Sequence, residues 1–174
     1  MRRVIIVIGV LAIVLISVVA CNGNGADVKT PVIAFSAVAT VTENECKYVC
    51  QVNSTSNEVA SVVILKPETL NGITYKWLGD SYCIEYKDLY CESNVEYLPK
   101  TSFASVLIDV LKQSENAKNL EFLEIQSEEV LYKGTTKVGD FKLKCNKNSG
   151  LINTITVERI GLKVEFSKQK MIVV

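Results

Sequence analysis

Hydrophobic positions change their spacing several times along this chain, and each change marks an element. From Val4 to Ala20 they form an almost unbroken run, interrupted only by Gly9 and Ser17. From Pro31 onward the spacing is mainly that of strands, with apolar and polar residues alternating at period two. Val32 to Thr42 alternates small and branched residues, and Lys47 to Val52 and Val59 to Leu65 flank the polar Ser54-Thr55-Ser56-Asn57 as a hairpin would. Tyr75-Lys76-Trp77-Leu78 and Cys83-Ile84-Glu85-Tyr86 flank a second turn signal, Gly79-Asp80. One segment departs from this rhythm. Phe103, Val106, Leu107, Val110 and Leu111 recur at the spacing of a single helical face, which Ala104 and Ile108 widen. Thr101 or Ser102, following Pro99, is placed to cap it. Strands resume over Glu121 to Lys133, Val138 to Cys145, Leu151 to Arg159 and Leu162 to Lys168, with turns at Asn146-Lys147-Asn148-Ser149-Gly150 and Ile160-Gly161. In the last strand Leu162, Val164 and Phe166 alternate with Lys163, Glu165 and Ser167, giving one face to a core and one to water. Hairpin-joined strands predict a curved antiparallel sheet, because a parallel one needs crossover helices. The expected class is mainly β (α+β), with the helix laid across the sheet or in the mouth of a half-barrel.

The N-terminal run stands apart from that fold. Met1, Arg2 and Arg3 place positive charge ahead of it, which is the layout of an export signal. It falls just short of the about 20 residues that usually span a bilayer. It closes on Val18-Val19-Ala20-Cys21, which resembles the lipobox of bacterial lipoproteins, small or branched residues before a cysteine whose thiol accepts lipid. That resemblance implies a signal peptide over residues 1–20, lipid attachment at Cys21 that palmitate labelling would report, and a membrane-held protein. The segment 21–30, rich in glycine and asparagine, reads as a lipidated N-terminus and flexible tether. Residues 31–174 suit one domain with a substantial core. An uncleaved single-span anchor is the alternative, and either arrangement leaves the domain on the extracytoplasmic face of the cell membrane, because the arginines stay inside. Over the whole chain 19 acidic residues balance 19 basic ones. Loss of Arg2 and Arg3 leaves the remainder slightly acidic, which gives no footprint for nucleic acid. Arg159 is then the sole arginine among plentiful lysine, asparagine and isoleucine, a bias that looks like a low-GC Gram-positive genome.

Over most of Pro31 to Val174 the chain resembles the LolA/LolB-type family of lipoprotein carriers and their Gram-positive relatives. The stretches that carry the resemblance are Val63 through Trp77, the Leu98-Pro99-Lys100-Thr101-Ser102-Phe103 lead into the helix, and Cys145 to Val157 with Gly150 at its bend. In this order and behind a lipobox they resemble the lipid-anchored clostridial branch, which includes a spore-germination lipoprotein that supports a cortex-modifying amidase. The resemblance implies an open antiparallel half-barrel wrapped round a helical lid, with an apolar cavity between them. Phe103, Leu107, Val110, Leu111 and Trp77 are the candidates to line it. Two departures bear on function. Carriers of the Gram-negative pathway are soluble shuttles, whereas this chain is tethered through Cys21. The early strands also hold no arginine with which a carrier could lock its lid.

Candidate chemistry is sparse. The chain contains no histidine, which removes serine–histidine and cysteine–histidine triads and the usual zinc hydrolase sites. No Cys-x-x-Cys occurs, so neither a metal nor another cofactor is expected. Five cysteines follow Cys21, in a compartment where disulfides form. Cys83 and Cys91 flank Lys87 as the centre of a three-residue turn, which would set them opposite each other as disulfide candidates. Cys46 and Cys50 lie too far apart along one strand to bridge, and one of them could reach Cys145 across the sheet. Burial of several as small hydrophobes is the equal alternative. Trp77 and the tyrosines at 75, 82, 86, 90 and 97 could stack a sugar or fill core. Glu121, Glu124, Glu128 and Glu129 could supply a carboxylate pair or merely a solvated face. An enzyme is not expected. Two function classes stay open: a binding module holding an acyl chain or other lipid-like ligand, and a platform beside the membrane that recruits an envelope enzyme such as a peptidoglycan amidase. Envelope-stress sensing through the same fold is a third.

Overall fold

Period-two burial is the organising fact of the sheet. In strand β1 (Phe35–Glu43) the residues Phe35, Ala37, Ala39 and Val41 are buried, while the positions between them face the other way. The computed structural model describes residues 28–55, 59–97 and 102–172. Cys21, the export signal, residues 22–27 of the tether, Ser56, Asn57 and the 98–101 lead into the helix lie outside the described residues. Ten further strands follow β1: β2 (Cys46–Thr55), β3 (Val59–Lys66), β4 (Thr74–Leu78), β5 (Ser81–Tyr86), β6 (Leu89–Asn94), β7 (Glu121–Gln126), β8 (Glu129–Thr136), β9 (Gly139–Asn146), β10 (Ile152–Val157) and β11 (Leu162–Met171). Every ladder is antiparallel, and the order across the sheet is β6-β5-β4-β3-β2-β1-β11-β10-β9-β8-β7. The chain thus starts in the middle, steps outward by hairpins to β6, crosses to the opposite edge and steps back inward from β7 to β11. The crossing is made by the helix α1 (Phe103–Glu115). Because β6 and β7 sit at opposite edges, the sheet is an open half-barrel with the helix as its lid.

The helix occupies the concave face because most of its surface is apolar. Phe103, Ala104, Val106, Leu107, Ile108, Val110, Leu111 and Ser114 are buried, a stripe wider than a two-helix seam would need and suited to an element packed within a curved sheet. Ser102 is its N-cap, with Oγ accepting from the Ser105 N–H at 3.3 Å, a contact whose loss costs about 1 kcal/mol in typical helices. Hydrogen bonds fix the helix to both halves of the sheet. Lys112 Nζ donates to the Gly79 carbonyl in the β4–β5 turn at 3.3 Å, and the Asp109 carboxylate accepts from the Lys137 N–H in the β8–β9 turn at 3.1 Å.

Two expectations change. Glu121 to Lys133 is a hairpin of β7 and β8, not one strand, because the polar Ser127-Glu128 pair turns the chain, with Ser127 at φ 55°. The chain is also held from before Pro31. The Lys29 N–H donates to the Lys147 carbonyl at 3.4 Å and the Val32 N–H to the Gly150 carbonyl at 2.9 Å. Gly150, at φ 74°, permits this approach, since a Cβ there would stand 2.4 Å from the Thr30 carbonyl oxygen.

The β8–β9 pair depends on a second close contact. Gly134 faces Phe141 in register, and a Cβ on Gly134 would lie 2.3 Å from the ring's Cζ. The ring, buried in the core, covers the glycine. We expect Gly134→Ala to destabilise the domain by about 1–3 kcal/mol through overpacking, read as a lower urea midpoint. Adding Phe141→Leu should recover part of the loss. An unchanged midpoint in the single variant would show that the ring swings aside freely.

Candidate functional site

The half-barrel's concave face is the place where the predicted site residues meet. Trp77 on β4 and Phe103, Leu107, Val110 and Leu111 on α1 all join one buried cluster with the inward residues of the sheet. Aromatic side chains gather at the N-terminal end of the helix. Tyr48 stacks on Phe103 with ring centroids 4.9 Å apart, and Tyr75 meets Phe103 edge-on at 6.4 Å and stacks on Trp77 at 6.2 Å. These contacts fill space. Beside the other half of the helix, Ile33, Ala60, Ile108 and Leu111 line a partly open hollow of about 10 Å³, at the lower limit for a single water.

Apolar surface opens instead beyond the helix, at the β7 edge. Phe122, Leu123 and Ile125 are 52%, 39% and 38% exposed. Phe122 pairs with Tyr132 and Ile125 with Val130, so both point to the concave side, with Leu123 as the extra residue of a β-bulge between them. The sequence reading missed this edge because it ran β7 and β8 together. The available signal was the polar Ser127-Glu128-Glu129 block.

The cysteine prediction requires correction. The β5–β6 turn holds two residues, Lys87 and Asp88, and pairs Tyr86 with Leu89. Cys83 therefore faces Glu92, and Cys91 faces Ile84. One residue of register places the two thiols on opposite faces of the sheet, and they are not bonded. Cys83 is buried on the convex face beneath Lys76 and Glu85, whose ion pair measures 2.6 Å. Cys91 and Cys46 are exposed, while Cys50 and Cys145 are wholly buried, and all five are free thiols. Burial pushes the Cys50 and Cys145 thiols up to about 12.

Other candidates disperse. Trp77 and Tyr82 are core, Tyr90 donates to the Glu92 carboxylate at 2.7 Å on the convex face, and Tyr97 is exposed at the far edge, so the aromatics form no common platform. The acidic group is likewise divided. Glu124 accepts from Gln126 at 2.6 Å, Glu128 from Asn148 at 2.8 Å, and Glu129 from Asn153 at 2.8 Å. On the convex face, ion pairs Lys133–Asp140 (2.8 Å) and Lys142–Glu158 (2.7 Å) line a shallow hollow with Arg159. Lys133 beside Asp140, with the Thr135 hydroxyl, holds that carboxyl below its usual range. Among the described residues no cluster of three or more cysteine, aspartate or glutamate side chains is arranged to hold a metal, and no helix is long and apolar enough to cross a membrane.

No family model matches the sequence, and no curated protein matches it. Solved structures do. An uncharacterized conserved protein from Thermus thermophilus aligns with a TM-score of 0.53 at 11% identity, covering 80% of this chain and 79% of that one. At that identity the likeness is one of fold. Weaker likenesses extend to the LolA superfamily protein NE2245 from Nitrosomonas europaea (TM-score 0.47, 12% identity, 86% and 90% covered) and to a putative outer membrane lipoprotein-sorting protein domain from Vibrio parahaemolyticus (0.42, 8%, 82% and 87%).

Thiol chemistry checks this arrangement. Maleimide at neutral pH should label Cys46 and Cys91 quickly in the folded domain, and Cys50 and Cys145 only after denaturation. Cys50 and Cys145 titrate near 9 when unburied and near 12 when folded. Their contribution to stability is therefore whole below pH 9 and is lost as pH climbs toward 12. Unfolding free energy should fall over that window, less steeply when both are replaced by alanine. Equal labelling of all five thiols in the folded state would contradict the register.

Proposed function

We propose that this chain is a membrane-anchored cell-envelope lipoprotein, held through Cys21, whose LolA-like domain acts by binding and carries no catalysis of its own. Its role is that of a rigid platform at the outer surface of the membrane, supporting an envelope enzyme such as a peptidoglycan or spore-cortex amidase. The observation that carries this reading is the fixed lid. Leu107 and Val110 are completely buried, and Asp109 and Lys112 tie the helix to turns on opposite halves of the sheet. A carrier must open such a lid to load cargo, whereas a platform gains from keeping it shut. The sequence resemblance to lipid-anchored clostridial proteins supplies the envelope setting and the class of partner. The N-terminal contacts support a short reach. With Lys29 and Val32 bonded to the 146–150 turn, the six residues 22–27 set an upper bound of roughly 20–25 Å on the distance from Cys21 to the described chain.

A second reading, lipid or acyl-chain binding, is favoured by one observation, the exposure of Phe122 and Ile125 on the concave side of the β7 edge. Two measurements separate the readings. Labelled palmitate should mark the protein and vanish in Cys21→Ala; label that persists in the variant ends the anchor proposal. Native mass spectrometry of the domain taken from its own membrane, joined with crosslinking in cells, should then give a single enzyme partner and no lipid adduct. A stoichiometric lipid adduct, with no protein crosslinked, would transfer the proposal to the second reading.

A further inference from the structure

Among the described residues no strand pairs with the outer side of β6 or β7, and the two edges differ in chemistry. At β6 the concave side is Leu89, Cys91 and Ser93, opposite Tyr86, Ile84 and Tyr82, with Leu89 its one large apolar side chain, and the convex side holds the single carboxylate of Glu92. At β7 the concave side is Phe122 and Ile125, and the convex side is Glu121 and Glu124, paired with Lys133 and Leu131. The β7 edge therefore shows two faces at period two, apolar within and acidic without, separated by the bulge at Leu123. The usual guards of an edge strand are lysine, proline or a covering element, and β7 (Glu121–Gln126) contains no lysine or proline. Lys133, the nearest cation in register, is ion-paired with Asp140 at 2.8 Å and feels Glu121 only through space, and Glu124 accepts from the neutral Gln126 amide at 2.6 Å. Among the ion pairs of the described residues, neither outer carboxylate therefore has a cation of its own in contact.

Charge decides which strand this edge would accept. A second copy paired along β7 would bring Glu121 and Glu124 of both chains onto one convex face, and like charges on neighbouring strands repel. A strand with Lys or Arg outward and branched or aromatic residues inward satisfies both faces. Position narrows the source. β7 runs into the turn at Glu128, whose carbonyl accepts from the Lys147 N–H at 2.7 Å and whose carboxylate accepts from Asn148 Nδ2 at 2.8 Å. The 146–150 turn also holds Lys29 and Val32, so the edge ends where the tether leaves for Cys21.

The geometry points to β7 as a docking edge for an extended segment of a membrane-adjacent envelope protein, five or six residues long, alternating basic with apolar side chains. Such a segment would extend the sheet by main-chain hydrogen bonds, with Phe122 and Ile125 packing its apolar side and Glu121 and Glu124 pairing its cations. This rests on the platform reading and specifies the partner's chemistry.

The probe is a capped hexapeptide, Lys-Val-Lys-Ile-Lys-Val, set against its glutamate counterpart on the chain from Asn22 onward, which contains every described residue. Amide exchange over 121–126 should slow with the basic peptide alone. Binding should weaken about tenfold between 50 and 500 mM salt, as exposed charge pairs are screened. Glu121→Lys with Glu124→Lys should reverse the preference between peptides while circular dichroism shows an intact fold. Equal protection by both peptides, protection over 89–94 instead, or a dimer already protected over 121–126 without peptide would each overturn the inference. In cells, a photo-crosslinker at Phe122 should capture the partner and one at Leu89 should not. Capture through Leu89 alone overturns the β7 assignment and leaves the platform standing. Peptide binding with no capture at either position keeps the edge chemistry and removes the platform.

Discussion

The β1–β11 ladder is the contact on which the rest of the structure depends. All other strand pairs are hairpins between neighbours in sequence, apart from the crossing by α1. The central ladder instead joins the two ends of the domain, from Phe35 opposite Met171 to Glu43 opposite Leu162. Without it there would be one six-stranded meander and one five-stranded meander, each with an uncovered apolar face. Closing so long a loop costs conformational entropy that local hairpins do not. The compensation lies in the inward residues Phe35, Ala37, Ala39 and Val41 on β1 and Leu162 and Val164 on β11, all buried. The Phe35 and Phe166 rings also meet edge-on at 5.3 Å across this seam. The helix then bridges the two meanders from the concave side, so the ladder and the lid stabilise the same join.

Period and capping were legible in the chain itself. The alternation in β11, the helical face from Phe103 to Leu111 and the Ser102 cap all appear where local spacing placed them, because each is decided by residues within one or two turns. What stayed illegible was set by a single residue or by tertiary context. Counting the Lys87 turn as three residues instead of two moved Cys83 and Cys91 from opposite faces to a facing pair, an error that period two allows without any change in hydrophobic pattern. The docking of residues 28–32 on the 146–150 turn left no periodic signal, since it rests on backbone hydrogen bonds and on the missing side chain of Gly150.

The candidate site shows the same division. Trp77, Phe103, Leu107, Val110 and Leu111 are brought together on the concave face, and spacing placed only the helix residues on a shared side. Whether such residues line a void or fill one depends on the curvature of the sheet and the height of the helix above it, and neither is encoded in periodicity. Among the described residues these side chains belong to one buried cluster. Exposed apolar residues gather toward the two edges, with Leu89 on β6 and the group Phe122, Leu123 and Ile125 on β7, where the helix no longer covers the sheet. Burial thus follows distance from the lid more closely than hydrophobicity, and a residue as apolar as Ile125 remains in contact with water.

A short tether turns this geometry into orientation. A long, flexible linker would let the domain rotate and present either edge or face to the membrane. Only six residues separate Cys21 from the chain that is bonded to the 146–150 turn, so a lipid on Cys21, as proposed, would hold that end of the half-barrel toward the bilayer. The β7–β8 turn shares that end through the bonds of Glu128 to Lys147 and Asn148. The α1 N-terminal aromatics Tyr48 and Phe103 pack where β2 begins, and the turns between β1 and β2 and between β10 and β11 lie at the opposite end by strand direction. A domain anchored in this way would present the β7 edge to a neighbouring membrane protein beside the bilayer, which is the arrangement expected of a platform.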